Sequence, residues 1–159
     1  MALFSIATHG QLEPHIHQEW LLTNGLGGFS SSTVVGCNTR RYHGLLVAAT
    51  LPPVGRMMAL NRVGEILTRS DRPGQQVELG VNQFGQEFHP RGEQYLRRFD
   101  LDGVATWHYI IETVRVTKEV QILWGRNVTG IRYTIDPGDA KGLQFAVQPF
   151  TGLRDFHSE

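Results

Sequence analysis

Arg40, Arg41, Tyr42 and His43 stand in succession and bring together two guanidinium forks, an aromatic plane and a titratable ring. Such a set can hold sugar hydroxyls or grip a carboxylate of a partner domain, because a guanidinium offers paired N–H donors and an imidazole can donate or accept. The same residues can equally form one structural ion pair while Tyr42 and His43 pack, and the residue types alone leave both readings open. If 41–49 is a strand, Arg41 and His43 share one face with Leu45 and Val47, while Arg40 and Tyr42 share the other. The two arginines then cannot enter one pocket unless a bulge or irregular lead-in at Asn38-Thr39 turns one of them. A buried unpaired guanidinium is costly, so one arginine is expected to be anchored by a carboxylate or by backbone carbonyls. The other, with His43 or Tyr42, is expected to reach the surface.

The remaining reactive side chains fall into no comparable group. Glycoside hydrolysis needs two carboxyl groups across the scissile bond, and none of the fifteen acidic residues is paired by pattern for that task. Asp100 and Asp102 share a strand face beside a turn, and no catalytic residue is assigned. His15 and His17 would point to one side of an extended chain, but with no third ligand signalled they read as surface polar residues, and no metal is expected. Gly25-Leu26-Gly27-Gly28 departs from a dinucleotide fingerprint because Ser30 occupies the third glycine position and a β-branched run follows. It reads as a tight turn, and no cofactor is expected. Trp20, Trp107 and Trp124 could stack on pyranose rings, but aromatics on alternating strands belong in a core. Asn127-Val128-Thr129 matches a glycosylation sequon by chance, since no secretory signal accompanies it.

The elements that must position these groups are nearly all strands. Residues 12–19 read as an irregular lead-in or short helical turn, 19–23 as a strand, 25–28 as a turn and 29–35 as a strand. Beyond Gly44 both faces of 41–49 are apolar, so this strand is expected to be central and covered on both sides. Residues 57–60 and 63–69 predict a hairpin turning at Asn61-Arg62, followed by a loop at 70–75 and a strand at 76–81. A longer loop with a short strand is expected over 82–92. Tyr95, Arg97, Phe99 and Leu101 are placed on one face, and Asp102-Gly103 as a turn. Trp107, Tyr109 and Ile111 share the next face. Val114, Val116, Val120 and Ile122 oppose polar residues, with Lys118 the one exception. Ile131, Tyr133 and Ile135 follow, then a turn at 137–139, then Leu143, Phe145 and Val147. Eighteen glycines and seven prolines, spread along the chain, suit many short strands between turns. An all-β antiparallel sandwich with little helix is predicted.

Three motifs resemble the amino-terminal domain of bacterial and archaeal glycogen debranching enzymes of the amylo-α-1,6-glucosidase type: N-G-L-G-G-F at 24–29, T-R-R-Y-H-G-L-L-V-A at 39–48 and P-P-V-G-R at 52–56. R-D-F-H at 154–157 is a weaker fourth match, to a run that usually reads R-D-Y-H. The resemblance implies a sandwich of the super-sandwich type, 1–159 being a single domain at the amino-terminal end of a longer enzyme. It also implies that the catalytic carboxylates belong to a helical-barrel domain absent from this chain, so that 1–159 is a truncated piece or a naturally short relative, inactive alone. The parent would be a glycoside hydrolase cleaving α-1,6 branches of glycogen-like α-glucans in glycogen catabolism. This domain would support the barrel and lend Asn24, Arg40, Arg41, Tyr42 and His43 to the active-site rim or the domain interface. The alternative is an autonomous carbohydrate-binding sandwich without an enzyme partner, and a ligand-binding β-barrel is a third. A face that normally meets the barrel would lie bare, so self-association, or an apolar sheet end near Pro52-Pro53, is expected.

Composition sets the outer bounds. A chain of 159 residues suffices for one domain with a core, and 40% apolar with 19% charged residues describes an ordinary globule. The formal net charge of zero gives no electrostatic footprint for nucleic acid or an anionic membrane. One cysteine excludes an internal disulfide framework. The first residues lack a basic segment and a long apolar run, so a cytoplasmic location is expected.

Overall fold

The computed structural model describes residues 3–52 and 54–157. In chain order the strands are β1 (Phe4–Ala7), β2 (Glu19–Thr23), β3 (Phe29–Thr33), β4 (Gly44–Leu51), β5 (Gly55–Thr68), β6 (Gln76–Glu78), β7 (Val81–Phe84), β8 (Glu87–Arg91), β9 (Leu96–Leu101), β10 (Ala105–Ile111), β11 (Val114–Ile122), β12 (Thr129–Asp136) and β13 (Gln144–Asp155). A single 3-10 turn, Gly92–Tyr95, completes the regular structure of the described residues. One sheet has the order β1-β9-β10-β11-β12, and the other β13-β5-β4-β3-β2 with β6 paired to β5. β7 and β8 form a separate hairpin, and every pairing is antiparallel. The fold is an all-β antiparallel sandwich, as the alternation predicts.

The main core lies between the two sheets. Trp107 of β10 meets Trp20 of β2 edge-on at 5.3 Å and Phe99 of β9 at 5.1 Å. Both indole N–H groups stay satisfied, Trp107 donating to the Val34 carbonyl at 2.7 Å and Trp20 to the Thr33 carbonyl at 3.1 Å. Lys118 breaks the apolar rhythm of β11 because its ammonium reaches across to Glu65 of β5 at 2.6 Å. The Tyr133 hydroxyl donates to the same carboxylate oxygen at 2.6 Å. Glu65 is only 3% exposed, so this pair of contacts is what makes its burial tolerable. Burial first, and then the Glu65 charge, push the phenols of Tyr133 and Tyr109 well above their usual value.

A smaller apolar cluster of Val47, Met58 and Phe156, with Phe29 packed against it, forms separately from the main core. Regular alternation would put Leu45 and Val47 on one face, yet Leu45 lies in the inter-sheet core and Val47 in the second cluster. The reason is a bulge in β4: its pairing with β3 runs from Ser31↔Gly44 to Phe29↔Val47, three residues opposite two. The Leu45 carbonyl within the bulge accepts from the Ser30 hydroxyl at 2.6 Å and the Thr129 hydroxyl at 2.7 Å. The serine-rich β3 is thus a set of buried hydroxyls bonded to nearby backbone and side-chain acceptors.

Several expectations are corrected. Asn61-Arg62 is not a turn: β5 runs unbroken through it, since β4 pairs with its first half and β13 with nearly all of it. The strand expected over 76–81 is two, and the loop expected over 82–92 holds the β7–β8 hairpin, which turns at Gly85 with a positive φ of 62°. In β9 an extra residue shifts the pairing with β10 between His108 and Tyr109, so Leu96 and Phe99 are buried while Arg97 is exposed. The last strand does not end near Val147 but continues to Asp155 along β5. Pro53 lies outside the described residues, but its neighbours Leu51 and Val54 are exposed at that hairpin tip.

Candidate functional site

Residues 40–43 are not the start of a strand. The His43 N–H bonds the Arg40 carbonyl at 3.0 Å and closes a turn, and β4 begins only at Gly44. The alternation argument therefore does not govern these side chains, and the irregular lead-in is what separates them. A side chain at Gly44 would have to displace the buried Met58 thioether, because a Cβ there would lie 2.3 Å from its sulfur and 3.2 Å from the Leu60 carbonyl oxygen. Glycine lets the turn approach β5 without moving that side chain.

His43 is 2% exposed and does not reach the surface. Its Nδ1 lies 3.2 Å from the Thr39 N–H and accepts from it, which places the ring proton on Nε2. Nε2 points toward Glu19 Oε1 at 3.6 Å and has no hydrogen-bond partner among the described residues. Burial holds this imidazole below the usual histidine range, against the opposing pull of the Glu19 charge. Glu19 Oε1 also receives Arg40 Nε at 2.6 Å. The anchoring carboxylate expected for one arginine is therefore Glu19, two strands away on β2.

The second arginine is tied to the 154–157 segment at both its guanidinium and its backbone carbonyl. Arg41 Nη1 donates to the His157 carbonyl at 3.0 Å, and Arg154 Nη2 donates to the Arg41 carbonyl at 2.8 Å. Tyr42 stacks on Phe156 with ring centroids 4.4 Å apart, and its hydroxyl lies 3.4 Å from His157 Nδ1. Phe156 in turn meets Phe29 edge-on at 5.8 Å and carries the Arg56 guanidinium 5.5 Å from its centroid. Arg56 Nε donates to the Gly27 carbonyl at 2.5 Å. Segments 24–29, 40–43 and 154–157, together with Arg56, thus converge on one phenyl ring. Arg56, Arg154, Phe156 and His157 were absent from the candidate residues, although the motifs that contain them signalled them.

Asn24 joins this assembly as a tie, fully buried within the chain. Its Oδ1 accepts from the N–H groups of Leu26 and Gly28, both at 2.9 Å. Its Nδ2 donates to the Arg126 carbonyl at 3.0 Å and to Asn127 Oδ1 at 3.1 Å. Asn127 itself clasps Ala49, accepting from its N–H at 2.9 Å and donating to its carbonyl at 2.7 Å. The sequon asparagine is thereby engaged within the fold.

Beside the convergence lies an open groove of about 260 Å³ lined by Arg40, Arg41, Arg62, Arg154, Asn38 and Phe84 among others. Its described lining holds guanidinium and amide groups and no carboxylate, which suits binding of oxygen acceptors rather than acid–base cleavage. Asp100, beside which a turn was foreseen, accepts from Ser5 at 2.5 Å and His108 at 2.9 Å and pairs with Arg98. Among the described residues no three histidine, cysteine or acidic side chains are grouped as a metal site. His15 is buried against Gln18 at 2.7 Å rather than lying on the surface, while His17 pairs with Glu13. Trp20 and Trp107 are core residues, but Trp124 is exposed.

The family model described as "Glycogen debranching enzyme N terminal" matches residues 18–159. The chain belongs to that family. The match spans all the converging segments, from 24–29 to 154–157, so the motifs and the geometry mark the same place in this debranching-enzyme amino-terminal sandwich. No curated protein and no solved structure matches the chain. No helix among its described residues is long and apolar enough to cross a membrane.

Proposed function

We propose that the chain serves as the amino-terminal, non-catalytic domain of a glycogen-debranching α-1,6-glucosidase. In this reading it supports a helical-barrel catalytic domain of the parent chain and lends the sheet end around Arg41 and Tyr42 to the interface or the active-site rim. One observation carries the reading: four family motifs, three within residues 24–56 and the fourth at 154–157, meet at Phe156, beside a groove rich in guanidinium donors. A purely internal role would not need Arg41 and Tyr42 at the surface, where Tyr42 is 39% exposed. Guanidinium groups there suit carboxylates of an adjoining domain or the hydroxyls of an α-glucan.

The test uses the full-length parent. Arg41→Ala is expected to lower glucose release from branched α-glucan by about tenfold, equivalent to about 1.4 kcal/mol in the barrier, with the melting temperature nearly unchanged. Arg40→Ala, which removes a largely exposed ion pair, is expected to cost under about 1 kcal/mol of stability. Unchanged activity in both variants would refute the reading. The 159-residue chain alone is expected to release no glucose, and turnover lost on changing one of its acidic residues to the amide would also overturn the assignment.

A further inference from the structure

Trp124 does not behave like the other two tryptophans. Trp20 and Trp107 are each 2% exposed, whereas Trp124 is 78% exposed in the loop between β11 and β12. An indole left in water forgoes a large apolar burial, and what distinguishes this one is the fixed seat beneath it.

The loop that carries it is built, not slack. The Leu123 N–H bonds the Val128 carbonyl at 2.9 Å across the loop, and the Gly125 N–H bonds the Asn24 carbonyl at 2.7 Å. The Asn24 and Asn127 side chains lock the same loop to the 24–28 turn and to β4 of the opposite sheet. The indole rests on Gly25: a Cβ there would lie 2.6 Å from Trp124 Cζ2 and 2.8 Å from Cε2 and Cη2. Gly25 is also at a positive φ of 76°, so the backbone of this turn favours glycine, and any side chain there would have to push the indole aside. One part of the ring is therefore seated on backbone and the rest faces water. Two residues on, the exposed Arg126 guanidinium has no hydrogen-bond or ion-pair partner among the described residues.

We infer that Trp124, seated on Gly25 and accompanied by Arg126, is a binding platform for the glucose rings of an α-glucan chain. The C–H groups on the apolar face of a pyranose carry partial positive charge and lie favourably on an indole face, whose quadrupole is negative. The guanidinium supplies donors for the ring hydroxyls. A platform whose loop and turn are already fixed loses little conformational freedom on binding. The choice of an α-glucan rests on the proposed debranching function.

The experiment follows Trp124 in the 159-residue chain by acrylamide quenching while maltoheptaose is added. Because Trp20 and Trp107 are buried, the readily quenched emission belongs to Trp124. Saturable protection is expected, with quenching reduced severalfold. By calorimetry Trp124→Ala is expected to lose at least tenfold in affinity, Trp124→Phe less, and Arg126→Ala severalfold. Absence of protection at about 20 mM sugar, a concentration at which a millimolar site would be filled, overturns the inference. So does equal binding by Trp124→Ala. Trp124 already shielded in the sugar-free parent would show that another domain covers it, and would likewise overturn the platform. If the parent cleaves α-1,6 branches while maltoheptaose leaves Trp124 unprotected, only the platform fails. If Trp124 is protected but the parent cleaves no branches, the platform stands and the debranching assignment fails.

Discussion

Tyr42 and Phe156 lie face to face, centroids 4.4 Å apart and planes 25° apart, although they are far apart in the chain. This stack fastens the 40–43 turn to the end of β13 and so places Arg41 beside the His157 carbonyl. Phe156→Ala removes the stack, the edge contact with Phe29 and the support under Arg56, and is expected to cost about 3–4 kcal/mol of stability. Tyr42→Ala should cost about 1 kcal/mol, being half in water. In a double-mutant cycle measured by urea unfolding, the two should couple by about 1 kcal/mol. Strict additivity would mean that the stack contributes nothing.

Glu65 has a different kind of partner. Its carboxylate sits between the sheets with the Lys118 ammonium and the Tyr133 hydroxyl on one oxygen, each at 2.6 Å. Glu65→Ala strands a cation that is mostly buried and is expected to cost about 3–5 kcal/mol. Lys118→Met in the same background should restore part of that loss, because the orphaned charge is gone. A denaturation midpoint that hardly moves in Glu65→Ala would show that water compensates the ammonium.

His43 gives a pH signature whose sign is set by its environment. Burial lowers its folded-state value below the ordinary 6.5, so below that pH the unfolded chain binds a proton that the folded chain resists. Its contribution is therefore complete above about pH 6.5 and is lost as pH falls toward the lowered folded value, with a slope of at most about 1.4 kcal/mol per pH unit. His43→Asn, which keeps an acceptor for the Thr39 N–H, should flatten the stability profile in this window even if it lowers stability throughout. An unchanged slope would show that His43 is not the group responsible. Asp100 titrates elsewhere: burial raises its carboxyl, but hydrogen bonds from Ser5 and His108 and the Arg98 charge outweigh this and hold it low. Its contribution is present above its ordinary value and fades only in stronger acid.

Asn24 is expected to be a stability residue before it is anything else. Asn24→Ala removes four side-chain hydrogen bonds in a buried site and should cost about 2–4 kcal/mol. Asn24→Asp keeps the acceptor for Leu26 and Gly28 but sets an oxygen against the Arg126 carbonyl and Asn127 Oδ1. It should be no better than alanine at neutral pH, and should recover on acidification as the carboxyl regains a proton. Thermal melts at pH 7 and pH 4 compare the two directly.

The alternation in Val114–Ile122 and in Ile131, Tyr133 and Ile135 was legible because side chains on a strand point to opposite faces by local geometry alone. The turn at Asp102-Gly103 was legible for a similar reason: Gly103 takes a positive φ of 68°, a local preference. The motifs at 24–29, 39–48 and 52–56 likewise marked, through residue identity, segments that converge in the fold. What the chain does at 40–43 depends instead on distant partners. Glu19 claims Arg40, and His157 and Phe156 claim Arg41 and Tyr42, and none of these pairings has a local signal. Asn61-Arg62 looked like a turn and became the middle of β5, because β13 pairs across it and Arg62 lies 3.8 Å from the centre of the Phe150 ring. The bulge that sends Val47 away from Leu45 follows from strand registry, which is a relation between segments and not a property of either. Trp124 was indistinguishable in composition from Trp20 and Trp107, and only the meeting of its loop with the 24–28 turn left it facing water. Local sterics write strands and turns into a sequence, whereas side-chain partnerships form only when long-range pairing has brought the segments together.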